Sequence, residues 1–375
     1  MKRTIRYLIA SMLLLGVVCC SRRPLGQFYE SISERNIFDL THITHDTLGG
    51  TQQFDIDKDG NLYYAAIMLP SMSYVSITKL PPRPEGFSTE TYGSMDLYYC
   101  GHPTGMSVED ADDGTYVWIG DYAEKRAPRS YWGAQAIARV KFEDGKALYP
   151  EDPSIEWFFV DHIGDVNVSL DKEHDLLGVS AHLPGRGDHS RSIRVYRLSE
   201  AMALPLDTIV LNTHRRGGDG APEAEEFELT PSILAHDLRK LTPLADFGTT
   251  NKGKTWRDVC FYAWQGFEVY GDRILFIEGG SGRDPYCGKA ALTIYDYEGT
   301  VLSRRFVKLP EDRDALDRFE IARDGKAEIE SVKVRNGRLY LEFHSGNARK
   351  EKGVVTSVFQ FDLPEECREP YYLQK

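Results

Sequence analysis

Five short segments of this chain carry side chains that could catalyse a reaction or bind a polar ligand. In chain order they are Thr51-Gln52-Gln53, His102-Pro103-Thr104, 161–165, Trp264-Gln265 and Glu328-Ile329-Glu330. Their amides, carboxylates, imidazoles and single indole form a mixture that suits a concave site for a carbohydrate or another polar ligand. The same groups could instead satisfy one another or hold channel waters, so a binding role and a structural role both stay open.

Two of these residues are carboxylates at a spacing that a strand places on one face. Glu328 and Glu330 are two positions apart, so their side chains point the same way and can approach each other. A like-charged neighbour raises the pKa of one of them, as a general acid requires. With His162 or His102 as a partner, the pair could act in a hydrolase or lyase, or it could accept hydrogen bonds from neighbouring strands. Catalytic residues are therefore unassigned, with Glu328, Glu330 and His162 as candidates.

The predicted ligand-binding set draws on the same segments and adds one arginine. Its members are Gln53, His102, Thr104, Asp165, Trp264, Gln265, Glu330 and Arg349. In this hypothesis the Trp264 indole stacks on a sugar face, while Gln53 and Gln265 hydrogen-bond its hydroxyl groups. His102 or Arg349 meets a phosphate, and three further basic residues near Arg349 supply a local positive field.

Motifs for metals, cofactors and nucleophiles are weak. The segment 55–60 reads D-x-D-x-D-G, the start of an EF-hand loop, but its twelfth position is Ala66 where a bidentate Glu is needed. The four cysteines downstream of residue 20 form no C-x-x-C pair. His182 and His189 have no carboxylate partner at ligand spacing, and the sequence contains no G-x-S-x-G elbow. No metal and no cofactor are predicted.

A phrase repeated five times indicates which elements position these side chains. The copies occupy 52–56, 104–108, 164–168, 265–269 and 330–334. A turn signal and a second apolar run follow each copy, which is the pattern of a β-hairpin. Because the copies recur at long and uneven intervals, they are typical of propeller blades and not of a solenoid. The predicted fold is all-β, a five-bladed β-propeller, in which the residues just ahead of each copy converge on one central opening.

The interval between the third and fourth copies is the longest, 100 residues from Asp165 to Gln265. A polar insertion at about 212–254 accounts for it, and apolar residues at helical spacing in 231–241 predict a short helix mounted on the third blade. A degenerate sixth blade is the alternative. The ring is predicted to close by adding the alternating segment 36–43 to the last blade as an outer strand.

The first residues predict export. Residues 1–20 comprise a basic start, an apolar core too short for a bilayer span and the pair Cys19-Cys20, which resembles a bacterial lipoprotein signal. Cys20, or alternatively Cys19, is the predicted lipidation site, and a simple N-terminal membrane anchor is the other interpretation. A tether at 21–36, the propeller at 37–368 and a tail at 369–375 would follow. The predicted location is the bacterial cell envelope, in a membrane-anchored lipoprotein.

The chain is acidic, with a formal net charge of −12 at pH 7. Nucleic-acid binding requires a basic footprint, so nucleic acid is not a predicted partner. Contact with a membrane is predicted only through the lipid anchor.

Several motifs resemble those of one family. Trp264-Gln265-Gly266-Phe267 with 269–272 is similar to the W-Q-G-Y…V-Y-G-D segment of the so-called teichoic acid biosynthesis protein C family. That family is related to helveticin-type bacteriocins and to receptor-binding proteins of staphylococcal phages. In the same order, four further segments resemble its G-H-G, W-G…A-R, E-P-E-G and S-G…R motifs: 101–105, 132–139, 328–331 and 345–349. Pro103 and Ser331 stand where the family has Gly. The resemblance implies a five-bladed propeller that recognises cell-surface glycopolymers.

Two functions follow from these residues and a third from the insertion. The main hypothesis is a lipid-anchored propeller whose central funnel binds a glycan or phosphorylated glycopolymer. The alternative is a hydrolase or lyase that acts on the same kind of polymer. The third is a scaffold that binds a protein partner through the insertion at 212–254. Retention and product release on a panel of glycans would separate the three.

Overall fold

The computed structural model describes most of the chain, and the described residues fold almost entirely as β-strands. These residues are 36–39, 48–68, 74–82, 93–127, 130–162, 164–182, 191–212, 214–216, 227–249, 263–279, 290–307, 328–346 and 354–368. Five sheets, each built on four antiparallel strands, form the blades of a β-propeller. The predicted five-bladed fold is confirmed.

The first two blades use the strands before residue 160. Strand β1 (Asn36–Asp39) belongs to the last blade, and the next strands in chain order are β2 (Leu48–Ile56), β3 (Leu62–Met68), β4 (Tyr74–Leu80), β5 (Gly93–Tyr98), β6 (Met106–Ala111), β7 (Gly114–Asp121), β8 (Glu124–Ala127), β9 (Ser130–Trp132), β10 (Ala136–Lys141), β11 (Ala147–Leu148) and β12 (Glu156–Phe159). Blade one is β2-β3-β4-β5, with β11 added in parallel at its edge. Blade two is β6-β7-β10-β12, and β8-β9 is a separate hairpin.

The remaining three blades follow in order. Their elements are β13 (Asn167–Asp171), β14 (Leu176–His182), β15 (Arg191–Arg197), α1 (Leu198–Met202), β16 (Leu206–Val210), β17 (His214–Arg216), β18 (Phe227–Leu229), β19 (Ser232–Asp237), a 3₁₀ turn at Leu238–Lys240, β20 (Ala245–Gly248), β21 (Ala263–Tyr270), β22 (Arg273–Gly279), β23 (Ala290–Tyr295), β24 (Val301–Val307), β25 (Glu328–Arg335), β26 (Arg338–Gly346), β27 (Val354–Asp362) and α2 (Glu365–Arg368). Blade three is β13-β14-β15-β20, and blade four is β21-β22-β23-β24. Blade five is β25-β26-β27-β1, so the N-terminal strand closes the ring as predicted.

The core lies between the blades, in five apolar clusters that each join two neighbours. Successive residues of a strand point to opposite faces of its sheet, so one blade contributes to two clusters. In β3, Tyr63 packs towards blade two and Tyr64 packs with blade five, next to Tyr340 and Val358. Burial on both faces explains why the second strand of a blade, such as β3, is a continuous apolar run. The apolar contacts between neighbouring blades hold the ring together without a single central core.

The fourth position of each repeated phrase is polar, buried and directed at the propeller axis. The five residues are Asp55, Ser107, Ser169, Glu268 and Lys333, all with no exposed surface. In four of them the side chain accepts a hydrogen bond from a backbone N–H of the next blade: Val108 to Asp55 at 2.7 Å, Leu170 to Ser107 at 3.0 Å, Val269 to Ser169 at 2.9 Å and Val334 to Glu268 at 3.4 Å. Neighbouring innermost strands are thereby joined by bonds that also satisfy buried polar groups.

A buried charge network fills the axis at the same level. Lys333 Nζ lies 2.8 Å from Glu268 Oε2, and both side chains are fully buried. Glu268 also accepts a hydrogen bond from Ser169 Oγ at 2.8 Å, and Arg335 bridges Glu268 and Asp55. The centre of the ring is therefore closed by ion pairs, which are costly to bury unless they are fully hydrogen-bonded.

Two sequence-based expectations need correction. In the third repeat the innermost strand begins at Asn167, and Ser169 takes the fourth position, two residues later than the phrase 164–168 indicated. The helix predicted in 231–241 is wrong, because Ser232–Asp237 is a strand that pairs with β12 and β16. Ile233 and Ala235 are buried while Leu234 is exposed, which is the period of two typical of a strand.

Cys100 and Cys367 are buried free thiols, and the other cysteines lie outside the described residues. Among the residues that the structure describes, no helix is long and apolar enough to cross a membrane.

Candidate functional site

The candidate site lies at the end of the propeller where the innermost strands begin, which we call the opening. Three of these strands carry a β-bulge at their start, at equivalent positions in blades one, four and five. In each of these strands the pairing skips the first residue of the repeated phrase, which is Gln52, Gln265 or Glu330. A bulge leaves one residue out of the ladder and turns its side chain, and bulges are frequent beside active sites.

Blade five carries three neighbouring carboxyl groups near the opening, which we call the carboxylate cluster. Glu328 and Glu330 lie on β25, and Glu342 lies opposite on β26, paired with Ser331. Glu328 is half-buried, and Gln265 Nε2 donates a hydrogen bond to its Oε1. The predicted approach of Glu328 and Glu330 is found, and Glu342 is an addition that the sequence analysis missed.

The surroundings raise the pKa of every member of the carboxylate cluster. Burial raises the pKa of Glu328 to about 7, against the opposing effect of the Gln265 hydrogen bond. Burial also raises the pKa of Glu330 well above its usual range, and the neighbouring charges of Glu328 and Glu342 add to the rise. Burial raises the pKa of Glu342 to about 8. Like charges in a dry site cannot all ionise, so the half-buried Glu328 is the member best placed to exchange a proton with a ligand.

Arg191, Asp165 and Trp264 form a second group at the opening, the arginine cluster. Arg191, at the start of β15, is 1% exposed and donates through both Nη atoms to Asp165, one to the carboxylate and one at 2.7 Å to the main-chain carbonyl. Its Nε donates to Ser180 Oγ at 3.0 Å. The guanidinium carbon lies 3.8 Å from the centroid of the Trp264 ring. A buried arginine with this many partners fixes the carboxylate of Asp165 in one orientation.

Asp165 stays ionised because of these neighbours. Burial by itself would raise the pKa of Asp165, but the charge and hydrogen bond of Arg191, with smaller contributions from His102 and His182, hold it below its usual range. Its φ angle is 62°, in the left-handed region that costs energy for a side chain other than glycine. Strained backbone of this kind is frequent at functional sites when the surroundings enforce it, as Arg191 does here.

Two histidines lie beside Asp165. Burial lowers the pKa of His102 to about 4, and the nearby Asp165 charge opposes that effect only in part, so the imidazole is neutral at pH 7. His182 is close enough to Asp165 to influence its ionisation. No carboxylate lies at ligand spacing from His182 in the sequence, but the fold brings Asp165, just ahead of β13 in the same blade, within electrostatic reach of it.

Trp264 is more enclosed than a sugar-stacking platform. It is 8% exposed, one side of its ring is covered by Arg191, and it belongs to the apolar cluster between blades three and four. Its indole Nε1 is buried and has no hydrogen-bond partner among the described residues. The face beside Arg191 is thus occupied by a cation in this conformation.

Gln53 and Thr104 lie deeper, where they close the axis. Gln53 Nε2 donates to the carbonyls of Glu330 at 2.7 Å and Gln265 at 3.2 Å, while its Oε1 accepts from Ser331 Oγ at 3.0 Å. The Thr104 N–H donates to Asn167 Oδ1 at 3.0 Å. The amide of Gln53 therefore ties blades one, four and five together, and it forms the floor of the opening.

The remaining predicted residues lie elsewhere. His162 is exposed, and its ring makes an edge contact with Phe159 at 5.0 Å between centroids. Arg349 and the predicted lipidation sites Cys19 and Cys20 lie outside the described residues. The segment 55–60 folds as strand and turn, in which Asp57 accepts hydrogen bonds from the backbone of the turn.

The arrangement provides the parts of an acid–base site. Glu328, whose pKa is raised to about 7, begins the innermost strand of blade five, and Asp165, whose pKa is lowered, lies just ahead of the innermost strand of blade three. The adjacent residues Trp264 and Gln265 connect them, because Trp264 contacts Arg191 and Gln265 contacts Glu328. Carboxyl groups whose environments displace their pKa values in opposite directions are typical of paired acid and base roles.

No family model matches the chain, and no curated protein is found to be similar to it. Among solved structures, the chain is similar to the GH43_1 enzyme from Xanthomonas citri, at 8% identity over 88% of this chain and 92% of that one, with a TM-score of 0.45. It is similar to the β-xylosidase RS223 at 12% identity over 86% and 94% of the two chains, with a TM-score of 0.39. It is also similar to the GH32 β-fructofuranosidase BmSUC1 of Bombyx mori at 11% identity over 85% and 61%, with a TM-score of 0.40. The architecture described above rests on the strand pairing of this chain itself.

Proposed function

We propose that this protein hydrolyses a glycan at the opening, with Glu328 as the general acid and Asp165 as the ionised carboxylate. The observation that supports the proposal is the opposite displacement of the two pKa values within one opening. Burial raises the pKa of Glu328 to about 7, whereas Arg191 holds the pKa of Asp165 below its usual range. Glycoside hydrolysis requires one protonated and one ionised carboxyl group on either side of the scissile bond.

The surroundings assign a role to each group. Glu328 is half-buried, so it can reach a ligand while remaining protonated below about pH 7. Asp165 is held by Arg191 and so is oriented without losing its charge. The neutral His102 beside it can donate or accept a hydrogen bond to a sugar hydroxyl. Glu330 and Glu342, both buried, act indirectly by keeping the charge of the cluster low.

The substrate class and location belong to the same proposal. The short motifs shared with the teichoic acid biosynthesis protein C family support a glycopolymer of the cell surface, and an anchor at Cys20 would place the propeller at the cell envelope. Glycan binding without turnover is the second candidate. It is favoured by the enclosure of Asp165, whose carboxylate is already paired with Arg191.

The experiment is a product assay on a panel of envelope glycans and simple aryl glycosides, using the full-length protein. Reducing ends or aglycone should appear with the wild type and be lost in both Glu328→Gln and Asp165→Asn. Glu298→Gln, an exposed residue on blade four, is the control and should keep full activity. Retention of a glycan without any product would overturn hydrolysis in favour of binding.

A further inference from the structure

A cleft between blades one and two lies at the opposite end of the propeller from the opening. Its volume is about 470 Å³, and its lining comprises Asn61, Tyr63, Lys79, Thr115 and Phe142. Innermost strands begin at the opening and end at the hairpin turns, and Asn61 and Thr115 adjoin the turns of blades one and two. A concavity of this size falls within the range of small-molecule sites.

The cleft contains an ammonium group whose ion pair is long and makes no hydrogen bond. Lys79 Nζ lies 3.8 Å from Asp57 Oδ2, which is beyond hydrogen-bond distance, and its side chain is 25% exposed. Asp57 does not depend on this contact, because its two oxygens accept hydrogen bonds from Asp59 N, Asn61 N and Asn61 Nδ2 at 3.0, 2.8 and 2.7 Å. Lys79 is therefore held only by this long ion pair and by the ring of Tyr63, 5.2 Å from its Nζ, and its partly exposed ammonium can also donate hydrogen bonds to a ligand.

A buried hydroxyl group points to the same ligand. Tyr63 has no exposed surface, and its Oη has no hydrogen-bond partner in the part of the chain that the structure describes. The side chains of Lys79 and Thr115 are near enough to lower the pKa of this hydroxyl through weak hydrogen bonding, but neither meets the geometry of a full hydrogen bond to it. An unpaired buried hydroxyl is unusual in a folded protein, and a bound group that accepts its proton would explain it.

The remaining walls are one aromatic ring and one amide. Phe142 packs edge-to-face on Tyr63, with 5.2 Å between ring centroids, and it remains partly exposed. The amide nitrogen of Asn61 is used by Asp57, which leaves its oxygen as an acceptor for a ligand hydroxyl. The lining thus offers two hydroxyl donors and one ammonium group, beside a flat apolar surface.

We propose that this cleft is a second binding site, for a small ligand that carries a carboxylate or phosphate group. The oxyanion would bind Lys79 Nζ and the hydroxyls of Tyr63 and Thr115, with the rest of the ligand against Phe142 and Asn61. The site is independent of the proposed glycan hydrolysis, because no residue is shared and the two lie at opposite ends of the ring.

The test is a titration of the full-length protein with glucuronate, glucose 6-phosphate and glucose, followed by calorimetry or ligand-observed NMR. We expect saturable binding of at least one of the two anions and none of glucose. Lys79→Met and Tyr63→Phe should each weaken that binding by at least about tenfold, because each removes a hydrogen bond to a charged group. Tyr63→Phe keeps the ring that packs between the blades, so it separates loss of binding from loss of fold.

A matched control distinguishes this site from the opening. Glu328→Gln should bind the anion as tightly as the wild type, even if it abolishes every activity of the opening. The proposal is overturned if neither anion binds saturably, if glucose binds equally well, or if both cleft variants bind like the wild type. Binding of one anion alone identifies which oxyanion the site accepts and supports the proposal.

Discussion

Arg191 places its guanidinium 3.8 Å from the centre of the Trp264 ring while it holds the carboxylate of Asp165. The contact joins blade three to blade four at the opening. The guanidinium of Arg191 therefore orients Asp165 and also covers one face of the indole. A cation over an indole face is attracted by the negative electrostatic potential of that face, and the attraction is greater where water is excluded.

The role of Arg191 can be tested by replacing it with methionine. Arg191→Met should raise the pKa of Asp165, because burial then acts without an opposing charge. The acid limb of the pH profile of glycan hydrolysis should therefore move to higher pH. The free energy of unfolding should also fall, by about 3 kcal/mol, because Asp165 loses its buried partner. Arg191→Lys should keep the charge but not the paired hydrogen bonds, so its acid limb should lie between those of the wild type and Arg191→Met. Arg197→Met, on the same strand, is the control, and an unchanged acid limb in Arg191→Met would contradict the account.

The buried Glu342 predicts that stability depends on pH in a defined direction. Its pKa is about 8 in the folded protein and 4.5 ordinarily, so the folded state binds the extra proton between these values. Stability should therefore fall as pH rises from about 5 to 8, by at most about 1.4 kcal/mol per pH unit from this residue. Asp165, with its lowered pKa, acts in the opposite sense but only below about pH 4.

Denaturant unfolding of Glu342→Gln at pH 5, 6.5 and 8 measures this effect. The variant should lose part of the pH dependence and should be more stable than the wild type at pH 8, because glutamine carries no charge to bury. Glu298→Gln, at the surface, should keep the slope of the wild type. Equal slopes in Glu342→Gln and the wild type would show that Glu342 titrates normally.

Removing one partner of the buried ion pair between Lys333 and Glu268 should lower the free energy of unfolding strongly. Lys333→Met leaves the fully buried Glu268 with one cation fewer, so the free energy of unfolding should fall by about 3 kcal/mol. Adding Glu268→Gln should recover part of that loss, because the buried charge is then removed. Lys141→Met, which breaks an exposed pair with Asp113, should leave the free energy of unfolding close to that of the wild type. Similar losses in the Lys333 and Lys141 variants would mean that the axis tolerates an unpaired charge.

Much of the fold could be predicted from the repeated phrase because hairpins are encoded locally. Asn336 and Gly337, for example, both adopt positive φ in the tight turn that their types predict. The register of the third repeat could not be predicted in the same way. Val166 and Val168 fit the apolar pattern in either alignment, and only the contact of Ser169 with Val269 of the next blade decides between them.

The site was only half predictable for a related reason. Glu328 and Glu330 precede a repeat and share a strand, so their proximity follows from the sequence. Arg191 and Glu342 lie on other strands and reach the opening only through sheet pairing. One signal for Glu342 is present in the sequence: a lone carboxylate between Leu341 and Phe343, in a run that is otherwise apolar and buried on both faces.

The pH dependence of glycan hydrolysis by the wild type and by Glu328→Gln tests most directly whether Glu328 is the general acid. The kcat/KM of the wild type should fall above about pH 7, where Glu328 loses its proton. Glu328→Gln should lower kcat by a factor of about 10² to 10⁴ and should abolish that alkaline limb. Glycan hydrolysis by Glu328→Gln at the wild-type rate, with the same limb near pH 7, would contradict that role for Glu328.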